Sequence, residues 1–261
     1  MKIAISGKGG VGKTSLAACL AMRFASDGKQ VLAIDADPDA NLAQALGIDP
    51  SVEVVPIGAM KEVVEERVGP EGGGMFRLNP LVEDLPDSLS IRIGGVRFMA
   101  MGTPPGGGSR CMCREHSLLR SLLDHILTDR DEAVVVDMEA GVEHLGRGTA
   151  RGVDALIVVV DADPVSMGTA RRIQKLAADI GLSRTYVVFN KVRDEEGAGV
   201  VASLAAGMLV LGTVPFIEEL ARGLQPPIQC SRFVEAVERV KASLYAAVGD
   251  QDRPAVEEVE K

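Results

Sequence analysis

Gly7-Lys8-Gly9-Gly10-Val11-Gly12-Lys13-Thr14 is the stretch that decides how this chain is read. The apolar run Lys2–Ser6 precedes it and the helix-compatible run Lys13–Ser26 follows it, so the spacing predicts a strand–loop–helix junction. Closely spaced glycines let consecutive backbone N–H groups converge on one point, and that concavity binds phosphate oxygens. The N-terminal dipole of the following helix adds to the attraction. In such a loop Lys13 neutralises the β- and γ-phosphates of a nucleotide, and Thr14 offers its hydroxyl to Mg²⁺. Gly7, Lys8, Gly9, Gly10, Val11, Gly12, Lys13, Thr14 and Ser15 are therefore the candidate phosphate-binding residues.

Outward from this loop, the chain alternates between two patterns. The runs Gln30–Asp35, Ala133–Asp137, Ala155–Asp161, Thr185–Asn190 and Met208–Val214 are short, rich in Val and Ile, and apolar on both faces. Such runs suit a buried parallel sheet. Helical segments are predicted at His116–Thr128, Ser166–Ile180 and Glu195–Gly207, besides Lys13–Ser26. The alternation implies an α/β fold of the P-loop NTPase kind: a doubly wound, mostly parallel sheet flanked by helices on both faces. Residues 52–108 break the rhythm, with a short helix expected over Met60–Val68 and one or two strands over Ile91–Met101 around Gly94-Gly95. Phe233–Val248 carries apolar residues at 233, 237, 240, 244 and 248, a helical stripe that predicts a core-packing terminal helix. Residues 1–248 read as one domain. The acidic, polar stretch 249–261 reads as a disordered tail.

Bulk properties exclude several classes. The 261 residues are 46% hydrophobic and 25% charged, with a formal charge of −9, which argues against a broad footprint on nucleic acid or anionic membrane. The chain goes straight into a strand without a signal-peptide pattern, and no apolar run approaches a membrane span. Glu235 and Glu238 balance Arg239 and Lys241, so the terminal helix has no basic face for a membrane. A cytoplasmic location is expected.

The cysteines are Cys19, Cys111, Cys113 and Cys230. Cys19 lies in an apolar stretch and is expected in the core; Cys230 is either a core residue or a surface thiol. Cys111-Met112-Cys113 is different. Cysteines at i and i+2 of an extended segment project to one side, and two thiolates can reach one metal without completing a tetrahedral site. A nearby dimer axis would supply two more thiolates, and thiolate softness selects Ni²⁺, Zn²⁺ or Cu⁺ over Mg²⁺. Two buried thiols or an exposed redox pair are the alternatives. His116 is either a further ligand or a residue at the start of the next helix.

Lys8, a second lysine in the loop, resembles the signature lysine of the deviant Walker A family, which includes the Min and Par ATPases and the nitrogenase iron protein. The resemblance implies a lysine that reaches the partner's nucleotide across a dimer interface and stabilises charge on the transferred phosphoryl group. It identifies Ile34-Asp35-Ala36-Asp37-Pro38-Asp39 as switch I, with Asp37 orienting the attacking water and Asp35 acting near Mg²⁺ or structurally. Asp39 and Asn41 are expected to cap the next helix. Val134–Asp137 with Met138-Glu139-Ala140-Gly141 resembles Walker B running into switch II. That implies Asp137 holding Mg²⁺ through water and Gly141 sensing the γ-phosphate. Asn190 and Lys191 resemble the base-recognition segment, and Val214, Pro215 and Phe216 are expected to flank an adenine. Asn190-Lys191-Val192-Arg193 lacks the aspartate that guanine readers carry after Asn-Lys.

The segments Gly107–Ser117 and Val136–Ala150, together with the loop, the Asp35–Asp39 run and Asn190–Arg193, resemble the CooC family over roughly residues 1–245. The resemblance implies an ATPase, cycling between ATP and ADP with Mg²⁺, that binds Ni²⁺ or Zn²⁺ through Cys111 and Cys113 between the subunits of a homodimer. It implies service to the apoenzyme of carbon monoxide dehydrogenase or acetyl-CoA synthase, without nucleic acid or membrane partners. Glu139 adds a carboxylate in switch II with no assigned consequence. Two other classes are distinguishable: an iron-protein-like electron-transfer protein, for which a second, well-separated cysteine ligand beyond Walker B is missing, and a Min/Par-type positioning ATPase, which leaves the cysteine pair unexplained.

Overall fold

A computed structural model describes residues 1–37, 40–69, 77, 80–102, 117–119, 121–123, 131–139, 153–193, 199, 201, 205 and 207–251. Strands β1 (Lys2–Gly7), β2 (Gln30–Asp35), β3 (Ile91–Ile93), β4 (Val96–Ala100), β5 (Glu132–Asp137), β6 (Ala155–Asp161), β7 (Thr185–Val192) and β8 (Leu209–Pro215) join one sheet in the order β3-β4-β2-β5-β1-β6-β7-β8. Every pairing is parallel except the β3–β4 hairpin. Gly94 and Gly95, both at positive φ, make its turn, so the Ile91–Met101 run resolves into two strands.

Side-chain alternation divides the core between the two faces. Ile3 and Ile5 of β1 face one layer and Ala4 the other, the period-two pattern of a strand buried on both sides. Helix α1 (Lys13–Ser26) packs Leu16, Leu20 and Phe24 into the first layer. After the short α2 (Leu42–Ala45), helix α3 (Lys61–Val68) puts Val64 and Val68 into the second, and the one-turn α4 (Leu85–Leu89) follows. Helix α5 (Pro164–Asp179) adds Met167, Ile173 and Ala177 to that second layer. Leu118, Leu119, Leu122 and Leu123 lie there too. After the one-turn α6 (Glu218–Ala221), helix α7 (Ser231–Gln251) returns to the first layer with Phe233, Val237, Val240 and Leu244. Helices therefore cover both faces, as the alternation predicts.

Differences from the expected boundaries have local causes. Helix α5 begins two residues early because Asp163 accepts from the N–H groups of Val165 and Ser166, and Pro164 occupies the first turn, where its missing donor costs nothing. Helix α7 runs to Gln251, so residues 249–251 are helical rather than tail; 252–261 lie outside the described residues. Most of the expected helices over His116–Thr128 and Glu195–Gly207 also fall outside them. Cys19 and Cys230 are both buried, and burial pushes the Cys19 thiol up to about 12. Among the described residues no helix is long and apolar enough to cross a membrane.

One polar cluster ties α7 to α1. Lys241 is 6% exposed, and its ammonium donates to Asp27 Oδ2 at 2.7 Å and lies 2.8 Å from Glu238 Oε2. Arg23 pairs with Glu238 from the other side. Lys241→Ala leaves Asp27 without its cation and Glu238 with Arg23 alone, and is expected to cost about 1–3 kcal/mol. The readout is thermal unfolding, and an unchanged Tm would show that the cluster does not hold α7.

Candidate nucleotide-binding site

Parallel pairing brings the C-terminal ends of β1, β2, β5, β6 and β7 to one edge of the sheet. Ile5 and Asp35 both pair with Asp137, Gly7 with Val159, and Asp161 with Asn190. Ligands of open α/β sheets bind at this edge, and the glycine loop leaves β1 there. Two glycines are required by geometry. At Gly7, φ +148, a Cβ would sit 2.2 Å from the Val159 carbonyl oxygen on the neighbouring strand. Gly12 caps α1 in the left-handed region at φ +93, where a Cβ would meet Asn190 Nδ2 at 2.3 Å.

The loop is braced from β7. Asn190 Nδ2 donates to the Val11 carbonyl at 2.8 Å, and its Oδ1 accepts from Lys191 N–H at 2.9 Å. Lys191 Nζ donates to the Gly10 carbonyl. Lys191 holds φ +56, a strained conformation for a side chain of this size, at an irregularity in the β7–β8 ladder. Asn190, expected to read a base, thus engages the loop backbone through its amide nitrogen. Lys13 is buried and donates to the Lys8 carbonyl at 3.4 Å, while Lys8 itself is exposed.

Two carboxylates lie fully buried side by side. Asp35 Oδ2 accepts from Leu42 N–H at 2.8 Å, and its Oδ1 accepts from Asp37 N–H at 3.2 Å. The α2 N-terminus is thereby capped by Asp35, seven residues upstream; Asn41 occupies the cap position but makes no side-chain cap bond. Asp39 lies outside the described residues. Burial raises Asp35 to about 6 against these two backbone donors.

Asp137 is also fully buried, and neither of its oxygens has a well-formed hydrogen bond, the Thr14 hydroxyl being close enough to interact but not well aligned. Burial pushes it up to about 7, with the Asp35 charge adding to the rise; the nearby Thr14 hydroxyl and Lys13 ammonium act in the opposite direction. An orphaned buried carboxylate beside a threonine hydroxyl is costly unless a cation completes it. This donor set fits Mg²⁺, which takes few carboxylate ligands and retains water.

Beside the loop lies a cavity of about 270 Å³, bounded by Gly10, Gly12, Ser15, Asn190 and Lys191 on one side and by Pro215, Phe216, Leu220 and Phe233 on the other. Pro215 and Phe216 stand where an adenine wall is expected. Val214, 1% exposed, packs in the core instead and does not border the cavity. Leu220 and Phe233 join this wall without having been expected at the site: Leu220 follows shortly after the last strand, and Phe233 carries only the signal of the apolar stripe of α7. Gly9 is exposed and Ser6 Oγ donates to the Glu139 carbonyl at 3.2 Å. Gly141, Cys111, Cys113 and His116 lie outside the described residues. Among the described residues no group of three or more His, Cys, Asp or Glu is disposed to hold a metal.

Comparison with known proteins agrees with this arrangement. Residues 2–225 match the CobQ/CobB/MinD/ParA nucleotide binding domain. The chain is 39% identical over 258 residues to the carbon monoxide dehydrogenase accessory protein CooC of Rhodospirillum rubrum, covering 97% of this chain and 98% of that one. It is 40% identical over 248 residues to an uncharacterized ATP-binding protein of Methanocaldococcus jannaschii, covering 92% and 96%. In fold, it resembles MinD in the MinC:MinD cell division complex of Aquifex aeolicus (TM-score 0.65, 21% identity, 94% and 96% covered). It also resembles a ParA family ATPase of Chlorobium tepidum (TM-score 0.66, 17% identity, 94% and 98% covered). By the match over residues 2–225 and by its identity to CooC across nearly its whole length, the chain belongs to the CobQ/CobB/MinD/ParA nucleotide-binding family and groups with the CooC proteins within it.

Proposed function

We propose that this chain is an ATP-hydrolysing metallochaperone that works as a homodimer, takes Ni²⁺ or Zn²⁺ as cargo through Cys111 and Cys113, and assists nickel insertion into carbon monoxide dehydrogenase or acetyl-CoA synthase. The nucleotide half rests on one observation above the rest: the buried Asp137 carboxylate, without a well-formed hydrogen bond at either oxygen, beside Thr14 and Lys13. The cargo half is supported by the Cys-Met-Cys sequence and by the CooC relative. The positioning ATPases share the fold at low identity, and that reading gives the cysteine pair no role.

In this reading the backbone of residues 7–15 cradles the phosphates, and Lys13 moves from the Lys8 carbonyl to the β- and γ-phosphates. Thr14 and Asp137 would hold Mg²⁺, and the ion would neutralise charge on the phosphate oxygens. Asp37 orients the attacking water, and Asp35 fixes the Asp37 backbone by accepting its N–H. Lys8, exposed at the loop crest, reaches the partner's nucleotide. ATP favours a closed dimer because its γ-phosphate contacts both protomers; ADP lacks that differential affinity. Closure brings two cysteine pairs together, and hydrolysis resets them.

Replacement of both Cys111 and Cys113 by Ser should abolish tight nickel and zinc binding while leaving ATP affinity unchanged, as read by metal content after dialysis and by titration calorimetry. Unchanged metal content in that variant would sink the cargo assignment. Lys8→Ala should weaken ATP-driven dimerisation in light scattering; a closed dimer of full strength removes the trans role of Lys8.

Asp137→Asn separates stability from function. The folded-state carboxyl titrates near 7 against an ordinary 3.8, so between those values the native state binds more protons and stability falls as pH rises. The Asn variant, without a buried charge, should melt roughly 4 °C or more above the wild type at mildly alkaline pH. That advantage should shrink as pH falls from about 7 toward 3.8, and Mg²⁺-dependent ATP binding should be lost. A variant less stable than wild type at every pH contradicts the orphaned-carboxylate account.

A further inference from the structure

Arg193 occupies the position at which guanine readers carry an aspartate after Asn-Lys, and here it does something physically different. Its guanidinium carbon lies 3.5 Å from the centroid of the Phe216 ring. The β7–β8 ladder brings the two together: Val192 pairs with Pro215, and the Phe216 N–H donates to the Val192 carbonyl at 2.9 Å. Phe216 is half-buried and borders the cavity beside the loop, whereas Arg193 is exposed and stands outside the cavity wall. One side of the ring is therefore covered by a cation while the ring still borders space continuous with Gly12 and Ser15.

A guanidinium over an aromatic face is held by the ring quadrupole, and this contact restricts the torsions of Phe216 without filling the cavity. A ring fixed in this way offers an aromatic surface on which a flat purine can stack in an offset geometry. The rest of the lining divides between apolar Pro215, Leu220 and Phe233 and polar Ser15, Asn190 and Lys191. The apolar part suits the face of a base, and the polar part adjoins the glycine loop, where the phosphates would lie.

We propose that Arg193 is a positioning residue for the base: it holds the Phe216 ring as the wall on which the purine of ATP stacks. The proposal rests on the ATP reading given above and adds a residue that acts on the base alone. The role predicts a split between ligands that differ only in having a nucleoside. In titration calorimetry on the full chain, Arg193→Ala should weaken Mg²⁺-ATP binding roughly 3- to 20-fold and leave Mg²⁺-tripolyphosphate binding unchanged. Arg193→Lys, which keeps the cation, should restore part of the loss. Phe216→Leu should weaken ATP binding similarly, and Arg193→Ala should add nothing in that background. An Arg193→Ala variant that binds ATP as wild type does, or that loses both ligands equally, overturns the proposal. A wild-type chain that binds neither ligand overturns the ATP reading itself, and this proposal with it.

Discussion

Everything at the candidate site depends on β5 lying in register between β2 and β1. That pairing sets Asp35 and Asp137 side by side at the end of the sheet where β1 gives way to the glycine loop. Neither carboxylate is there for stability: burial raises both toward neutrality. Asp35 is compensated by two backbone N–H groups; Asp137 has no backbone donor, and only the Thr14 hydroxyl and the Lys13 ammonium offset its burial. The difference divides their work. Asp35 fastens the start of α2 and the Asp37 backbone to the sheet, while Asp137 is the carboxylate that the proposed function leaves to a cation. A sheet able to bury one uncompensated carboxylate must draw its stability elsewhere, and the two apolar layers with α1, α5 and α7 supply it.

The loop is held by two neighbouring side chains of β7. Asn190 and Lys191 hold successive carbonyls, those of Val11 and Gly10, and Lys191 adopts a left-handed backbone to do so. Strain at such a place is tolerated when the surroundings over-determine it, here through Asn190 and the β8 pairing. One strand end thus touches the glycine loop through residues 190–191 and the cavity's aromatic wall through Arg193. On the proposed function, phosphate and base recognition would share this support, so disturbance at either end of the strand segment should reach the other.

Much of this was legible in the sequence because the determinants are local. Buried parallel strands are apolar on both faces and announce themselves, as do the glycine loop and the helix that follows it. The stripe at 233, 237, 240 and 244 fixed the face of α7, although not its end. What escaped notice depends on contacts distant in sequence. The cap of α2 comes from Asp35 on a strand, so the nearer Asp39 and Asn41 drew attention away from it. Val214 adjoins Pro215 and Phe216 in sequence, yet its side chain is buried in the core layer and does not border the cavity. The Arg193–Phe216 stack joins two strands and has no signature in either segment alone.

The central claim is that nucleotide and metal sites are two ends of one dimer switch, with the metal shell completed by a second copy. Its most direct test is nickel or zinc content per protomer, measured together with mass by light scattering, with and without Mg²⁺-ATP. The account predicts one ion per pair of chains, bound tightly only in the ATP-dependent dimer. A metal stoichiometry independent of ATP, or tight binding by the monomer, would contradict it.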